Sequence, residues 1–406
     1  MPKYFFTAKS QEGKSHSGNR QAKNKHELAR ALRQEGYVLI SAVSEKRQLE
    51  KKRFRFSFAL FSRVSLKEKI ILTRNLNVMV SAGISLPRAL KTLAQQAKNK
   101  KLKKVLLEIT EEIIKGKSFS DALFQHPDVF SELFYSMVKV GEESGTLEKN
   151  LVILAKHMER ENELKAKIKG ATIYPAVIVL AMIGIGVMML VTVVPRLSKT
   201  FEDLEMELPL TTKAVIFLGT FLTERWYFVL LAFVVVVFLF QTNLKPKRSK
   251  KLIDSLVLKI PIISVLIKKT NAAYTVRTLS SLISAGVPLI RALEIVSDTL
   301  SNYYFKQAIF QTIDKVKKGE KLSQSLRPYQ NLFSLVVIQM IEVGEESGET
   351  STILDKLGDF FEEEVTNATK NLASVIEPVL MLIIGGVVGF FAVSMIQPMY
   401  SMLSGL

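Results

Sequence analysis

Gly141-Glu142-Glu143-Ser144-Gly145 returns as Gly344-Glu345-Glu346-Ser347-Gly348, 203 positions further along the chain. The same shift pairs Ser81-Ala82-Gly83 with Ser284-Ala285-Gly286, Arg88-Ala89-Leu90 with Arg291-Ala292-Leu293, Gly116 with Gly319, Pro175 with Pro378 and Pro195 with Pro398. A common displacement without net insertion means that one structural unit was duplicated with its helix and loop lengths kept. The period is too long for a solenoid, whose repeats run to roughly 20–50 residues.

Around the pentapeptide the pattern is helical. Ser65 and Glu68 have capping-box spacing, and the helix they open ends near Gly83. Ser85 and Pro87 suit a second start, Asn99 to Lys115 a third helix and Ser118 to Gln125 a short fourth. Phe130, Leu133, Phe134, Met137 and Val138 form one apolar stripe on a fifth helix, matched by Phe333, Val336, Val337, Met340 and Ile341. A sixth helix runs from Leu147 past Lys169 with no breaker.

With 406 residues, 48% of them hydrophobic, the chain is rich in apolar residues for a soluble protein. Charge-free runs locate membrane spans. Lys169 and Arg196 bracket 26 uncharged residues, Arg225 and Lys245 bracket 19, and no charge follows Glu377. About 20 apolar residues cross a bilayer core. Trp226 and Tyr227 stand where an aromatic belt belongs, and Gly385 and Gly389 have the spacing of a close-packing helix face.

The expected fold is all-α. It is a polytopic membrane protein with two duplicated cytoplasmic six-helix bundles, three transmembrane helices and a small N-terminal α+β module. The expected divisions are that module at 1–44, a basic linker at 45–64, the first bundle at 65–169 and a span at 170–195. An external loop at 196–225, a span at 226–244, the second bundle at 245–371 and a span at 374–398 complete the chain. Within the module, Tyr4 to Thr7 reads as a strand and His26 to Glu35 as a helix stopped by Gly36.

The formal charge of +18 invites a nucleic-acid reading. Its location argues for membrane orientation instead: Lys245, Lys247, Arg248, Lys250 and Lys251 crowd the exit of the second span, and five basic residues from Lys156 to Lys169 precede the first. The positive-inside rule then puts the N-terminus and both bundles in the cytoplasm, and no nucleic-acid partner is expected.

Catalytic signatures are missing. There is no cysteine, which excludes thiolate metal sites and a cysteine nucleophile, and His16, His26, His126 and His157 are far apart in sequence. No phosphate-binding loop, His-Glu-x-x-His or Gly-x-Ser-x-Gly elbow occurs, and Gly184 to Val187 lacks an intramembrane aspartate. No enzymatic activity, cofactor or resident metal is expected. Glu377 is the one carboxylate at a span and no span contains a basic residue, which is thin material for the rival reading of a small-solute transporter or channel.

What remains is the repeated turn. Gly145 and Gly348 suit helix C-termini, but Glu142, Glu143, Glu345 and Glu346 oppose the macrodipole there, at about 0.3–1 kcal/mol each. Either they serve the N-terminus of the following helix or pair with Lys and Arg, or they form a docking surface or a divalent-cation site. Gly141 and Gly344 complete the motif.

These residues resemble the type II secretion system F family, which includes the PilC-like inner-membrane proteins of type IV pili. Ser81 to Gly83 with Arg88 to Leu90, Gly141 to Gly145, Tyr174-Pro175 and their second-half counterparts carry the resemblance. The second copy has Glu377-Pro378 where the first has Tyr174-Pro175. The N-terminal Phe6-Thr7-Ala8 with Glu12-Gly13 and Leu32 to Gly36 are similar to that family's opening module. The resemblance implies a multi-pass platform in the bacterial inner membrane that contacts a cytoplasmic assembly ATPase, pilin or pseudopilin subunits and other inner-membrane assembly proteins, as a homo-oligomer.

Overall fold

The computed structural model describes residues 3–10, 15–22, 25–44, 63–203, 210–225, 227–228, 231, 235 and 247–404. Contacts divide the chain into Met1–Ser65 with Ala94–Leu107, and Leu66–Leu93 with Glu108–Leu406.

In the first unit, β1 (Lys3–Ser10) pairs antiparallel with β2 (Ser15–Gln21) and with β3 (Tyr37–Ser44), in the order β2-β1-β3. Helix α1 (Lys25–Gln34) puts Leu28 and Leu32, one turn apart, against Ala8 and Ala22. The chain turns into β3 at Gly36, whose φ of 82° costs a residue without Cβ little.

The two repeats follow, and all of their residues except Ala94–Leu107 belong to the second unit. The first consists of α2 (Leu66–Ser81), α3 (Leu86–Gln96), α4 (Lys100–Ile114), α5 (Phe119–Phe124), α6 (Glu132–Ser144) and α7 (Leu147–Thr192). After α8 (Val194–Asp203), α9 (Leu210–Glu224) and α10 (Lys247–Lys259) comes the second. It comprises α11 (Pro261–Ser284), α12 (Leu289–Thr299), α13 (Tyr303–Lys317), α14 (Leu322–Leu326), α15 (Leu335–Ser347) and α16 (Thr350–Ser404). The duplication reaches the backbone itself: positive φ at Gly83, Gly116 and Gly145 (75°, 94°, 70°) recurs at Gly286, Gly319 and Gly348 (87°, 90°, 73°).

Burial follows the apolar periodicity. Phe130, Leu133, Phe134, Met137 and Val138 are all buried, each such side chain contributing about 1.5–3 kcal/mol by leaving water. The second copy departs from its expected stripe: Phe333, Val337 and Ile341 are buried, but Val336 is exposed, Met340 is half-buried, and Ile338 takes up core space.

Helices α7 and α16 have 46 and 55 residues, so at about 1.5 Å per residue each is far longer than a bilayer is thick. Each carries an apolar stretch of membrane-crossing length, 6% and 11% buried, which no core helix of a soluble domain would leave so open. Pro175 lies inside α7, and Pro378 inside α16. The span expected at 226–244 and the basic linker at 45–64 lie largely or almost wholly outside the described residues.

The stretch expected to be an external loop is different. Residues 196–225 contain most of α8 and all of α9, and α9 packs on both long helices. Thr212 donates its hydroxyl to the Ser394 carbonyl at 2.5 Å, and a Cβ on Gly219 would stand 2.8 Å from the Leu190 carbonyl oxygen. The charge count over the whole interval hid an uncharged ten-residue run between Lys213 and Glu224, which is apolar enough to seek these neighbours.

Candidate functional site

The residues of the repeated pentapeptide divide the work of one turn. Gly141 sits where α6 crosses the start of α7: a Cβ there would be 2.9 Å from Leu147 Cα and 3.2 Å from Asn150 Nδ2. Gly344 is similarly tight, 3.2 Å from Thr350 Cα. Gly145 and Gly348 end α6 and α15 in the left-handed conformation. After Gly145 the Thr146 N–H returns to the Gly141 carbonyl at 2.8 Å, which satisfies a carbonyl at the helix end.

The first glutamate of each pair serves a helix N-terminus, but an earlier and shorter helix than the one expected. Glu142 accepts the backbone N–H of Phe119 at 2.6 Å and of Ser120 at 2.8 Å, while Ser118 accepts that of Asp121 at 3.0 Å. Three first-turn donors of α5 are thereby satisfied. Glu345 accepts from Leu322 N at 2.6 Å, Ser323 N at 3.1 Å and the Ser323 hydroxyl at 2.6 Å. The carboxylate thus opposes the dipole of its own helix but complements that of the helix it touches. Glu143 and Glu346 remain exposed, near Lys139 and Lys321 at 3.9 and 3.8 Å. No group of three acidic or histidine side chains among the described residues is placed to hold a metal ion.

Beside these turns the two repeats are joined. Asn150 donates to the carbonyls of Met137 in its own repeat and Ala285 in the other, at 3.0 and 3.2 Å. Arg291 reaches across to Glu132 at 2.5 Å. His157 is buried against Ser281, with Nδ1 to Oγ at 3.0 Å. Because Ser281 spends its hydroxyl proton on the Arg277 carbonyl, the imidazole Nδ1–H is the donor. Burial pushes the His157 pKa down to about 4; the carboxylate of Glu161 works against this and Arg277 with it.

At the centre of the joint is Arg277, whose side chain is 7% exposed. Nε donates to Glu362 at 2.7 Å, Nη2 to Asp359 at 2.6 Å and Nη1 to Asp355. Arg160, from the first repeat, binds Glu362 and Asp359 as well, at 3.1 and 3.3 Å. Burial opposes the charge of Arg277, but hydrogen bonds to Glu362 and Asp359 and the attraction of Asp355 outweigh it and hold the guanidinium above its ordinary pKa. A cavity of about 340 Å³ opens beside the joint, bordered by Lys156, His157, Ser280 and Thr352. Sequence reasoning missed this cluster, although Asp355, Asp359 and Glu362 at i, i+4 and i+7 mark one acidic face of α16.

The membrane residues singled out earlier do not converge. Tyr174 and Glu377 are both exposed, and Glu377 makes no ion pair with Lys370. A Cβ on Gly385 or Gly389 would meet nothing within 4 Å, so no described helix packs on that face. Between α7, α9 and α16 lies an apolar cavity of about 440 Å³, lined among others by Met182, Met189, Val215, Leu218 and Phe391.

Comparison with known proteins agrees with this two-copy architecture. The family model for type II secretion system protein F matches residues 72–195 and again 275–398. The type IV pilus assembly protein PilC of Myxococcus xanthus is 33% identical over 98% of this chain and 94% of its own length. The protein of the same name from Thermus thermophilus is 31% identical over 100% and 99%. Type II secretion system protein F of Aeromonas hydrophila is 31% identical over 92% and 95%. With the family model found twice in register with the repeat, and relatives matching along nearly the whole length, the chain belongs to the type II secretion system protein F family.

Proposed function

We propose that this protein is an inner-membrane platform of a type IV pilus or type II secretion machine, coupling a cytoplasmic assembly ATPase to the assembly of pilin or pseudopilin subunits. The observation that carries the reading is the joint at Arg277. It ties α7 and α16, each running from a bundle into an apolar stretch without interruption, into one lever at the height of the bundles. A push on either bundle is thereby conveyed along a stiff helix into the bilayer. The exposed Glu143 and Glu346, beside turns braced by Glu142 and Glu345, form the surface offered to the ATPase.

In this reading the chain crosses the membrane three times, at 170–195, 226–244 and 374–398, with the N-terminus and bundles in the cytoplasm. Its face at Gly385 and Gly389 takes another helix, from a second copy or from a subunit being assembled. Glu377 stands at the entry of α16 to the hydrocarbon, where a carboxylate persists when it has a partner. In this reading the chain acts as a platform and not as a catalyst.

The reading is tested in a strain lacking the gene. Complementation should restore filaments or secretion, and the tagged protein should copurify with an assembly ATPase and pilins. Glu377→Gln should insert at normal levels yet impair assembly, while Lys370→Gln has little effect. Intact assembly in the deletion strain, or solute flux through the purified protein in vesicles, would overturn the platform reading.

A further inference from the structure

Helix α10 presents an apolar stripe to the outside that nothing among the described residues covers. Leu252 and Leu256, four residues apart on it, are 67% and 62% exposed, and Ile260, in extended backbone just past its end, is 46% exposed. Its opposite side is held by the bundle: Asp254 accepts the Tyr303 N–H at 2.8 Å, and Lys251 lies over the Tyr303 ring. Lys250 and Lys259 are exposed, and Asp254, turned inward, is the sole acidic residue from 247 to 262. Lys259 falls on the same side as Leu252 and Leu256, whereas Lys250, four residues before Asp254, falls on the side of Asp254, so the free face combines apolar groups with one exposed lysine.

The height of this face along the molecule is set by α11. That helix runs antiparallel to α16, with Ser280 bonded to Ser351, Arg277 to Asp359 and Lys269 to Glu364. Continued toward the start of α11, the pairing brings Ile260 and Pro261 level with the last turn of α16 before Glu377, beyond which α16 has no charged residue. The C-terminal end of α10 is thus level with the place where α16 enters the hydrocarbon. Exposed apolar groups there meet acyl chains, and a lysine beside them meets a headgroup phosphate.

We infer that α10 is an interfacial helix that lies on the membrane surface, seating Leu252 and Leu256 at the acyl boundary, with Ile260 just beyond its end, and Lys259 on an anionic lipid headgroup. It anchors the second bundle to the bilayer at a point lateral to α16. The inference rests on the membrane placement of α16 proposed above.

The test uses the full chain, which has no native cysteine to interfere. Single cysteines at Leu252, Leu256, Leu382 and Lys318 are spin-labelled in nanodiscs of phosphatidylcholine with phosphatidylglycerol. Accessibility to oxygen and to a water-soluble nickel chelate is then read by power saturation. Labels at 252, 256 and 382 should favour oxygen, and the label at 318 the chelate. Removing phosphatidylglycerol, or introducing Lys259→Gln, should lower the oxygen preference at 252 and 256 severalfold and leave 382 unchanged. Chelate access at 252 and 256 with 382 still in the bilayer would overturn the inference alone, whereas chelate access at 382 would overturn the membrane placement. Shielding of 252 and 256 from both reagents, in detergent as in nanodiscs, would assign the stripe to a protein partner instead. Insensitivity to lipid charge would remove the anionic headgroup from the proposal.

Discussion

The guanidinium of Arg277 fills the space that a side chain at position 358 would need: a Cβ on Gly358 would stand 2.8 Å from Arg277 Cζ and 3.0 Å from Nε. At the equivalent place in the first repeat stands Ala155, and the equivalent arginine, Arg74, is mostly exposed while paired with Glu159. The two copies therefore use the same Arg–Glu pair differently, and the missing methyl on α16 is what lets the second arginine go inside.

Gly358→Ala should accordingly displace Arg277 from its three carboxylates. Overpacking of this kind costs about 1–3 kcal/mol, to which weakened ion pairs add. Thermal unfolding followed by circular dichroism should show a clear loss of stability, while Gly184→Ala, where a Cβ meets nothing within 4 Å, should be close to wild type. Equal stability of the two variants would mean that Arg277 is not confined by Gly358.

Glu142→Ala and Glu345→Ala should loosen α5 and α14 respectively. Charge-assisted hydrogen bonds are worth about 1.5–3 kcal/mol, so a loss of ~2 kcal/mol in local opening corresponds to roughly thirtyfold faster amide exchange. Exchange read by mass spectrometry should accelerate at Phe119 and Ser120 in the first variant and at Leu322 and Ser323 in the second. Protection that is unchanged at those amides would show the carboxylates to be dispensable as caps.

His157 makes the joint sensitive to acid. Its pKa is about 4 when folded against an ordinary 6.5, so between these values the unfolded chain binds a proton that the folded chain does not. Stability therefore falls as pH drops through that window, by about 2 kcal/mol between pH 7 and pH 5. His157→Gln, which keeps a hydrogen-bond donor but cannot titrate, should flatten this part of the stability profile. The same slope in wild type and variant would assign the acid sensitivity to other groups.

Side of the membrane is open to thiol labelling, but Ser120, Ser198 and Ser323 are too buried to serve as reporters. Cysteines in place of the exposed Lys115, Lys199 and Lys318 suit better. In intact spheroplasts an impermeant reagent should label position 199 and spare 115 and 318. Labelling of either bundle from outside would reverse the proposed orientation.

Much of this architecture was legible because its signals are local or periodic. The 3.6-residue spacing of Phe130 to Val138, the capping pattern at Ser65 and the turn glycines each report on neighbours within a few positions, and the duplication read them twice. Helix α9 escaped because its apolar run is shorter than a span and lies between charges; only the faces of α7 and α16 give it a place to pack. Glu142 escaped because its partners lie 23 and 22 residues earlier in the chain. The sequence alone thus determined the repeat, the helices and the long apolar stretches, since backbone hydrogen bonding and hydrophobic periodicity act over short separations. Tertiary structure decided which carboxylates cap, which arginine is buried and how the repeats are joined, because those bonds link residues whose proximity exists only once the helices have packed.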